Sequence, residues 1–140
     1  EFIPLFDCNT YVYVWKKNPI ASKSSVSLQE LEKYPCLTFD QGKTNSFYFA
    51  EEVFSTYEYK QTIQVDDRAS MLNLMVGLNG YTLCSGIICE ELNGSDYAAV
   101  PLKETEVMTI GYVKRKSIQL SELAQLYVNE LAKYKNLVLK

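Results

Sequence analysis

Short strand-like segments alternate with helix-like segments along most of the chain, and this alternation restricts the fold more than any other feature. The strand-like segments are rich in β-branched and aromatic residues, as in the run Tyr11–Trp15. The helix-like segments carry apolar residues three and four positions apart, as in segment 69–80. Strands separated by helices of about ten residues are typical of βαβ units. We therefore predict an α/β fold with a mainly parallel sheet.

Caps and breakers mark the ends of the predicted elements. Ser27 and the pair Asp66 and Asp67 stand where helix N-caps are expected, and Pro35 ends a short helix. The predicted strands are 11–15, 36–39, 60–65, 81–88 with its turn, 98–102 and 108–114. The predicted helices are 27–34, 46–57, 69–80, 89–94 and 120–134.

Length and composition indicate a globular chain of ordinary domain size. It has 140 residues, of which 47% are hydrophobic and 22% charged, with only four Pro and six Gly. No apolar run approaches the roughly 20 residues that span a bilayer, so we predict a soluble protein. The chain begins at Glu1 rather than Met and no signal peptide follows, so we expect it to be a piece of a longer, cytoplasmic protein.

The residue types disfavour catalysis and metal binding. The chain has no His, which removes Ser-His and Cys-His pairs and the commonest zinc ligand. Of the four Cys, only Cys84 and Cys89 are close in sequence. They are candidates for a metal or redox pair, but the spacing is not C-x-x-C, and reduced packing thiols are favoured. We predict no enzyme activity, no cofactor and no metal site.

The charge balance disfavours nucleic-acid binding by this chain. The formal net charge is −3 at pH 7, with 14 Lys and Arg against 17 Asp and Glu. The basic residues 114–116 and the last helix are short, solvated stretches rather than a sustained basic face. DNA contact would need another domain.

The polar loop 40–46 follows a predicted strand and leads into a predicted helix. Strand ends of this kind are where ligands bind in open α/β sheets, because backbone N–H groups and the helix dipole point there. Gly42 permits close approach, and Thr44, Asn45 and Ser46 offer hydroxyl and amide groups. Ordinary turn and capping chemistry would also explain these residues. A phosphate-binding P-loop is excluded because Leu37 stands where its first Gly would be.

Three segments in a fixed order resemble the C-terminal effector-binding domain of LysR-type transcriptional regulators. NPIASKSSVSLQELEKYPCLTF (18–39) resembles the family's "His-Pro-Leu-Ala, Val-x-Leu-x-x-Leu, x-Pro-x-Ile" passage. VDDRASMLNLMVGLNGYTLCSG (65–86) resembles its strand, helix, Gly-rich turn and strand. YAAVPLKETEVMTIGYVKRKSIQLSELAQLYVNEL (97–131) resembles its closing "Val-x-Pro-Leu", strand, basic residues and last helix. Together they cover nearly the whole chain.

The chain departs from the family pattern in three places. Asn18 stands where the family usually has His, and Ser85 stands where Pro is common. The usual Gly-x-Gly turn is stretched over residues 77–80. These departures suggest a divergent subgroup, whose ligand cannot be inferred from the ligands of better-known relatives.

The resemblance implies a periplasmic-binding-protein-like, two-lobed domain that follows an N-terminal winged helix-turn-helix absent from this chain. Residues 19–102 would form a nearly complete lobe II. Residues 1–18 would be a crossover strand from a partial lobe I, and 103–140 the return crossover strand and a lobe I helix. We expect the stripe of that helix to be partly uncovered and to mediate self-association; it comprises Leu120, Leu123, Tyr127 and Leu131.

The resemblance also implies a function. The chain would be the small-molecule sensor of a cytoplasmic, oligomeric transcription regulator, with anions among the candidate effectors. The implied ligand-binding residues are the loop residues Gly42, Thr44, Asn45 and Ser46, with Asp67 and Ser85 at neighbouring strand ends. A solute-binding protein of a transporter is the alternative, and an enzyme of the same fold class would lack an evident nucleophile or base.

Overall fold

The computed structural model describes residues 1–40, 57–88 and 90–133. In these ranges the strands are β1 (Phe2–Asn9), β2 (Tyr11–Trp15), β3 (Cys36–Phe39), β4 (Thr62–Val65), β5 (Tyr81–Cys84), β6 (Tyr97–Pro101) and β7 (Val107–Val113). The helices are α1 (Leu28–Leu31), α2 (Arg68–Leu78), α3 (Glu90–Asn93) and α4 (Glu122–Lys133), with a 3₁₀ turn at Pro19–Ser22. The chain divides into a larger compact unit, Asn9–Glu106, and a smaller one made of Glu1–Cys8 and Val107–Lys140.

The larger unit is built on a five-stranded sheet in the order β4-β3-β5-β2-β6. β3 pairs parallel with both β4 and β5. β2 pairs antiparallel with β5 on one side and β6 on the other. Four strands therefore run in one direction and only β2 runs against them, which confirms the predicted α/β fold with a mainly parallel sheet.

Each face of this sheet buries its own apolar cluster, because side chains alternate along a strand. Val12 and Val14 point to one face and Tyr13 to the other. The buried residues of the first cluster, which includes α1 and the 3₁₀ turn, are Val12, Val14, Ile20, Val26, Leu28, Leu31, Cys36, Tyr81, Val100 and Leu102. Those of the second, which includes α2, are Tyr13, Leu37, Val65, Met71 and Met75.

A reciprocal capping box begins α1. The Ser27 hydroxyl accepts a hydrogen bond from the Glu30 backbone N–H, and the Glu30 carboxylate accepts one from the Ser27 N–H at 2.9 Å. Glu30 also pairs with Lys23 and, at 3.0 Å, with Lys103. The hydrogen bond from Lys23, followed by those from the Ser27 backbone and Lys103, holds the pKa of Glu30 well below its ordinary value. The sequence prediction of Ser27 as an N-cap is confirmed.

A buried amide ties the 3₁₀ turn to the end of α2. Asn18 is 2% exposed, and its Oδ1 accepts a hydrogen bond from the Ile20 N–H at 2.9 Å. Its Nδ2 donates to the carbonyl of Asn79 at 2.9 Å. Asn79 ends α2 in the left-handed conformation, with φ 56°. The residue that departs from the family pattern thus joins two elements about 60 residues apart in the chain.

The smaller unit pairs β1 with β7. The Lys114 N–H donates to the Glu1 carbonyl at 3.0 Å, and the Thr109 hydroxyl donates to Asp7 at 2.7 Å. These partners run in opposite order along the chain, so the two strands are antiparallel. Only one strand, 11–15, was predicted in the opening stretch, so the prediction was wrong about β1. Pro4 interrupts the strand-like pattern of β1, and the strand that pairs with β1 lies about 100 residues further along the chain.

Helix α4 carries an uncovered apolar stripe. The Ser121 hydroxyl accepts a hydrogen bond from the Ala124 N–H at 3.3 Å and caps the helix. Leu123 is 78% exposed and Tyr127 66% exposed. The predicted exposure of this stripe is confirmed for the part of the helix that the structure describes. In the same described ranges no helix is long and apolar enough to cross a membrane.

Candidate functional site

The polar residues that follow the strands meet at one edge of the five-stranded sheet. β3, β4 and β5 are parallel, so Asp40, Asp67 and Ser85, just beyond their carboxyl ends, lie along the same edge. β2 runs the other way, and its first residue, Tyr11, pairs with Cys84. We call these residues, with Gly86, the strand-end edge.

Four of the predicted site residues lie in a segment that the structure does not describe. Gly42, Thr44, Asn45 and Ser46 lie outside the described residues, as do Cys89 and most of the predicted helix 46–57. Phe39, which precedes their loop, is the last residue of β3, and the Asp40 N–H donates to the Val65 carbonyl at 2.8 Å. The loop therefore leaves the sheet at the strand-end edge, as the sequence analysis expected.

Asp67 is the N-cap of α2. Its side chain accepts a hydrogen bond from the Ser70 N–H at 2.8 Å. Hydrogen bonding by the Ser70 side chain, and secondarily by the Ser70 backbone, lowers the pKa of the Asp67 carboxyl. The neighbouring Arg68 donates from Nη1 to Oδ1 of Asn93 at 3.2 Å. Of the two roles that the sequence left open for Asp67, the capping role is observed. The carboxylate is nevertheless exposed at the strand-end edge.

Replacing Asp67 by Ala is expected to lower the thermal midpoint by a few degrees, because the Ser70 N–H loses its acceptor. Asp67→Asn keeps an acceptor oxygen and is expected to change the midpoint less. The folded-state pKa of Asp67 is lowered, so the charge contributes stability above the unfolded-state pKa of about 3.9. That contribution is lost as the pH falls through the folded-state pKa.

Thermal unfolding followed by circular dichroism at pH 7, 5 and 3 measures this effect. The advantage of the native chain over Asp67→Asn should shrink at pH 3. An Ala variant as stable as the native chain at pH 7 would contradict the capping role.

A tight turn follows β5. The Gly86 N–H donates to Sγ of Cys84 at 3.3 Å, and the Ile87 N–H lies 3.4 Å from Oγ of Ser85. Gly86 has φ 78°, in the left-handed region that favours glycine. A Cβ placed on Gly86 would lie 2.6 Å from the Tyr11 ring. Ser85 is half-buried at the strand-end edge, in a turn that has no room for a larger residue at the next position.

Sequence reasoning missed Tyr11 and Gly86 as part of this edge. Tyr11 reads as an ordinary strand residue, and its position depends on pairing with β5, about 70 residues further along. A local signal for Gly86 existed, since a Gly directly after a short strand often marks a turn that needs a positive φ.

The described residues of the strand-end edge offer hydrogen-bonding and charged groups. Asp66 and Asp67 are exposed carboxylates, and Ser85 supplies a hydroxyl. The described residues contain no group of three or more potential metal ligands. Cys8 and Cys36 are buried and Cys84 is partly buried, whereas Cys89, the other member of the candidate pair, lies outside the described residues. Burial, and secondarily the charge of Asp7, raises the pKa of the Cys8 thiol.

Comparison with known proteins decides the family. The model of the LysR substrate binding domain matches residues 1–135. The chain belongs to the LysR substrate-binding-domain family. Its α/β fold is the periplasmic-binding-protein-like fold of that family, and the predicted resemblance is confirmed. No curated protein matches the chain.

Solved structures of LysR regulators share the fold at low sequence identity. The effector-binding domain of QuiR, in complex with shikimate, matches with a TM-score of 0.63 and 16% identity over 97% of this chain and 65% of that one. HinK from Pseudomonas aeruginosa, a LysR family regulator, matches with a TM-score of 0.66 and 18% identity over 96% of this chain and 48% of its own. The regulatory domain of CcmR from Synechocystis PCC6803, in complex with 2-PG, matches with a TM-score of 0.56 and 12% identity over 96% of this chain and 66% of its own. This LysR-family chain thus spans between about half and two thirds of these structures.

Proposed function

We propose that this chain is the small-molecule effector-binding part of a LysR-type transcription regulator. The observation that carries the proposal is the family match over residues 1–135. The strand-end edge supports it, because several parallel strands end there in polar residues, where ligands bind in sheets of this kind. The structures of the QuiR and CcmR domains each contain a small molecule. The family match also favours this function over a transporter's solute-binding protein.

The proposed effector site combines the loop after β3 with the neighbouring strand ends. Thr44 and Ser46 would offer hydroxyl contacts, and Gly42 and Asn45 backbone N–H groups. Asp67 and Ser85 would complete the site from the ends of β4 and β5. The proposed effector is a small molecule with hydrogen-bonding groups, and anions remain among the candidates.

The proposed lobes rest on the predicted boundaries after residues 18 and 102. The larger compact unit, Asn9–Glu106, contains the whole of the proposed lobe II together with β2. Residues 103–140 would return the chain to lobe I through β7 and end in α4. On this proposal the cytoplasmic regulator contacts DNA only through an N-terminal helix-turn-helix, and the effector changes that contact.

A thermal-shift screen of the intact two-lobed domain tests effector binding, using amino acids, organic acids and inorganic anions as probes. We expect at least one probe to raise the unfolding midpoint of the native domain. Thr44→Ala and Ser46→Ala should lose that shift, whereas the matched surface variant Ser95→Ala should keep it. A shift that survives both loop variants would contradict the proposed site.

The regulator function is tested with the complete protein and its own promoter region in a gel-shift titration. Binding should weaken with rising salt and change when the identified effector is added. An absence of binding at every salt and effector concentration would contradict the proposed function.

We propose that the protein forms a homo-oligomer in which the stripe on α4 takes part. Leu123 and Tyr127 of the stripe, and Leu126 beside them, are each more than 60% exposed, and clustered exposed apolar side chains often mark interaction surfaces. Light scattering of this chain should report self-association that Leu123→Glu weakens. A monomer at high concentration would count against the proposal.

A further inference from the structure

Two tyrosine rings meet in the segment that leads into β4. The ring centroids of Tyr57 and Tyr59 are 4.9 Å apart, and the ring planes are inclined at 66°, which is an edge-to-face contact. Both side chains are half-buried, so part of each residue packs against the protein and part faces solvent. The two phenols are therefore in mutual contact and open to small solutes.

The residues that follow this pair fix its segment against β3 and the end of α1. The Gln61 carbonyl accepts a hydrogen bond from the Cys36 N–H at 2.9 Å, and Lys60 Nζ pairs with the Glu32 carboxylate. Both tyrosine rings also pack against the first apolar cluster of the five-stranded sheet. The contact between the rings is thus a property of the folded larger unit.

Two further oxidisable side chains lie beneath the pair. Tyr81 and Cys36 are each 2% exposed, and their side chains share a hydrogen bond. Burial raises the pKa of Tyr81, and Cys36 and then the phenols of Tyr59 and Tyr57 raise it further, so all four groups are close together. Tyr57 and Tyr59 are the outermost members of this cluster, because the other two are shielded from solvent.

The stacked pair of Tyr13 and Tyr97 is a natural contrast within the described part of the chain. Its ring centroids are 5.3 Å apart, with an angle of 15° between the ring planes. Tyr13 is 8% exposed, and its hydroxyl has no hydrogen-bond partner. One-electron oxidation of a phenol requires its hydroxyl proton to leave, because the phenol radical cation is a strong acid. Tyr13 has no acceptor for that proton, so ring contact alone does not make its pair reactive.

We propose that Tyr57 and Tyr59 form an oxidative modification site, at which a one-electron oxidant such as the carbonate radical joins the two rings as dityrosine. Each ring gives one electron and its hydroxyl proton to a carbonate radical, which becomes bicarbonate. The two tyrosyl radicals then form one carbon–carbon bond between the ring positions next to their oxygens. The hydrogen atoms at those positions move to the oxygens and restore both hydroxyls. In total, two tyrosines and two carbonate radicals give one dityrosine and two bicarbonate ions.

Radiolysis of the folded chain in bicarbonate solution saturated with nitrous oxide supplies the carbonate radical for the test. Because Glu58 stands between the two tyrosines, trypsin and a protease that cleaves after Glu place them on separate fragments, 53–58 and 59–60. A dityrosine link keeps these fragments joined, with the loss of the two hydrogen atoms removed in the coupling. We expect mass spectrometry of the native chain to detect this joined peptide.

Conservative variants locate the link. Tyr57→Phe and Tyr59→Phe keep the rings without the hydroxyls, and each should lose the joined peptide. The matched variant Tyr127→Phe removes a phenol that is 66% exposed on α4, and it should keep the joined peptide at the native yield. No link should form between the fragments that contain Tyr13 and Tyr97.

Three results would overturn the proposal. The first is a native chain without the joined peptide at a radical dose that already modifies Tyr127. The second is an equal yield of the joined peptide from the chain unfolded in urea, because the ring contact of the folded state would then not be responsible. The third is a link between Tyr13 and Tyr97 of similar yield, which would contradict the requirement for proton release.

Discussion

Replacing Gly86 by Ala is expected to lower the free energy of unfolding by about 2–4 kcal/mol, because two costs add at this residue. Its φ of 78° is unfavourable for any residue with a Cβ. The new Cβ would also lie 2.6–2.8 Å from three atoms of the Tyr11 ring. Tyr11 is the first residue of β2 and pairs with Cys84, so the turn after β5 and the ring must move apart.

Gly94→Ala is the matched control for Gly86→Ala. Gly94 has φ 75°, but within the described part of the chain no atom other than those of its chain neighbours lies within 4 Å of the position its Cβ would take. It should therefore show only the backbone cost of about 1–2 kcal/mol. Urea unfolding of both variants, and of Gly86→Ala combined with Tyr11→Ala, separates the two terms. Equal losses in the two single variants would contradict the clash with Tyr11.

Replacing Asn18 by Ala is expected to cost about 2–4 kcal/mol, because a buried side chain is truncated and two backbone groups, one of them buried, lose their partners. The Ile20 N–H would lose its acceptor and the Asn79 carbonyl its donor. The first bond caps the 3₁₀ turn, and the second connects the turn to the end of α2. The loss should appear as a lower urea midpoint with an unchanged m-value.

Asn18→Asp keeps one of the two hydrogen bonds of Asn18 and removes the other, so it measures them separately. Aspartate still accepts from Ile20, but its carboxylate would face the Asn79 carbonyl without a donor. Burial favours the protonated form in the folded state, so the folded-state pKa of this carboxyl should lie above the unfolded value. The stability of Asn18→Asp relative to the native chain should then be highest at low pH and fall as the pH rises through the folded-state pKa.

Ser22→Ala is the control for the Asn18 variants, since the exposed Ser22 hydroxyl donates to the Pro19 carbonyl in the same turn at 3.1 Å. It should change the free energy of unfolding by less than about 0.5 kcal/mol. An Asn18→Ala variant as stable as Ser22→Ala would contradict the role assigned to the buried amide.

Elements whose signals are local could be predicted from the sequence. Ser27 and Asp67 begin their helices as predicted, because an oxygen side chain before an apolar periodic run satisfies free N–H groups. Asn79 and Gly80 end α2 for a similarly local reason. Strand β1 was missed because nothing near it in sequence defines it.

The residues of the candidate site also divide into those whose positions the sequence predicts and those whose positions depend on long-range strand pairing. That Asp67 and Ser85 lie at one edge follows from the rule that parallel strands end together, so sequence sufficed to place them. Tyr11 reaches that edge only because β2 runs antiparallel, inserted between β5 and β6. Long-range pairing of this kind is not encoded in any local pattern. The structure does not test the ligand contacts of the loop residues, which stay predictions.

The central position of β2 has a consequence for how the protein is made. β2 precedes its partners β5 and β6 in the chain by a long interval, and Val12 pairs with Leu83 and Val100. The apolar run Tyr11–Trp15 must wait for roughly 70 to 90 residues of further synthesis before either partner exists. During that interval it is an exposed segment of high β-propensity with no charge. We therefore expect chaperones to bind this segment during synthesis. We also expect folding to be slow for a chain of this size, because the strand pairs only with distant partners.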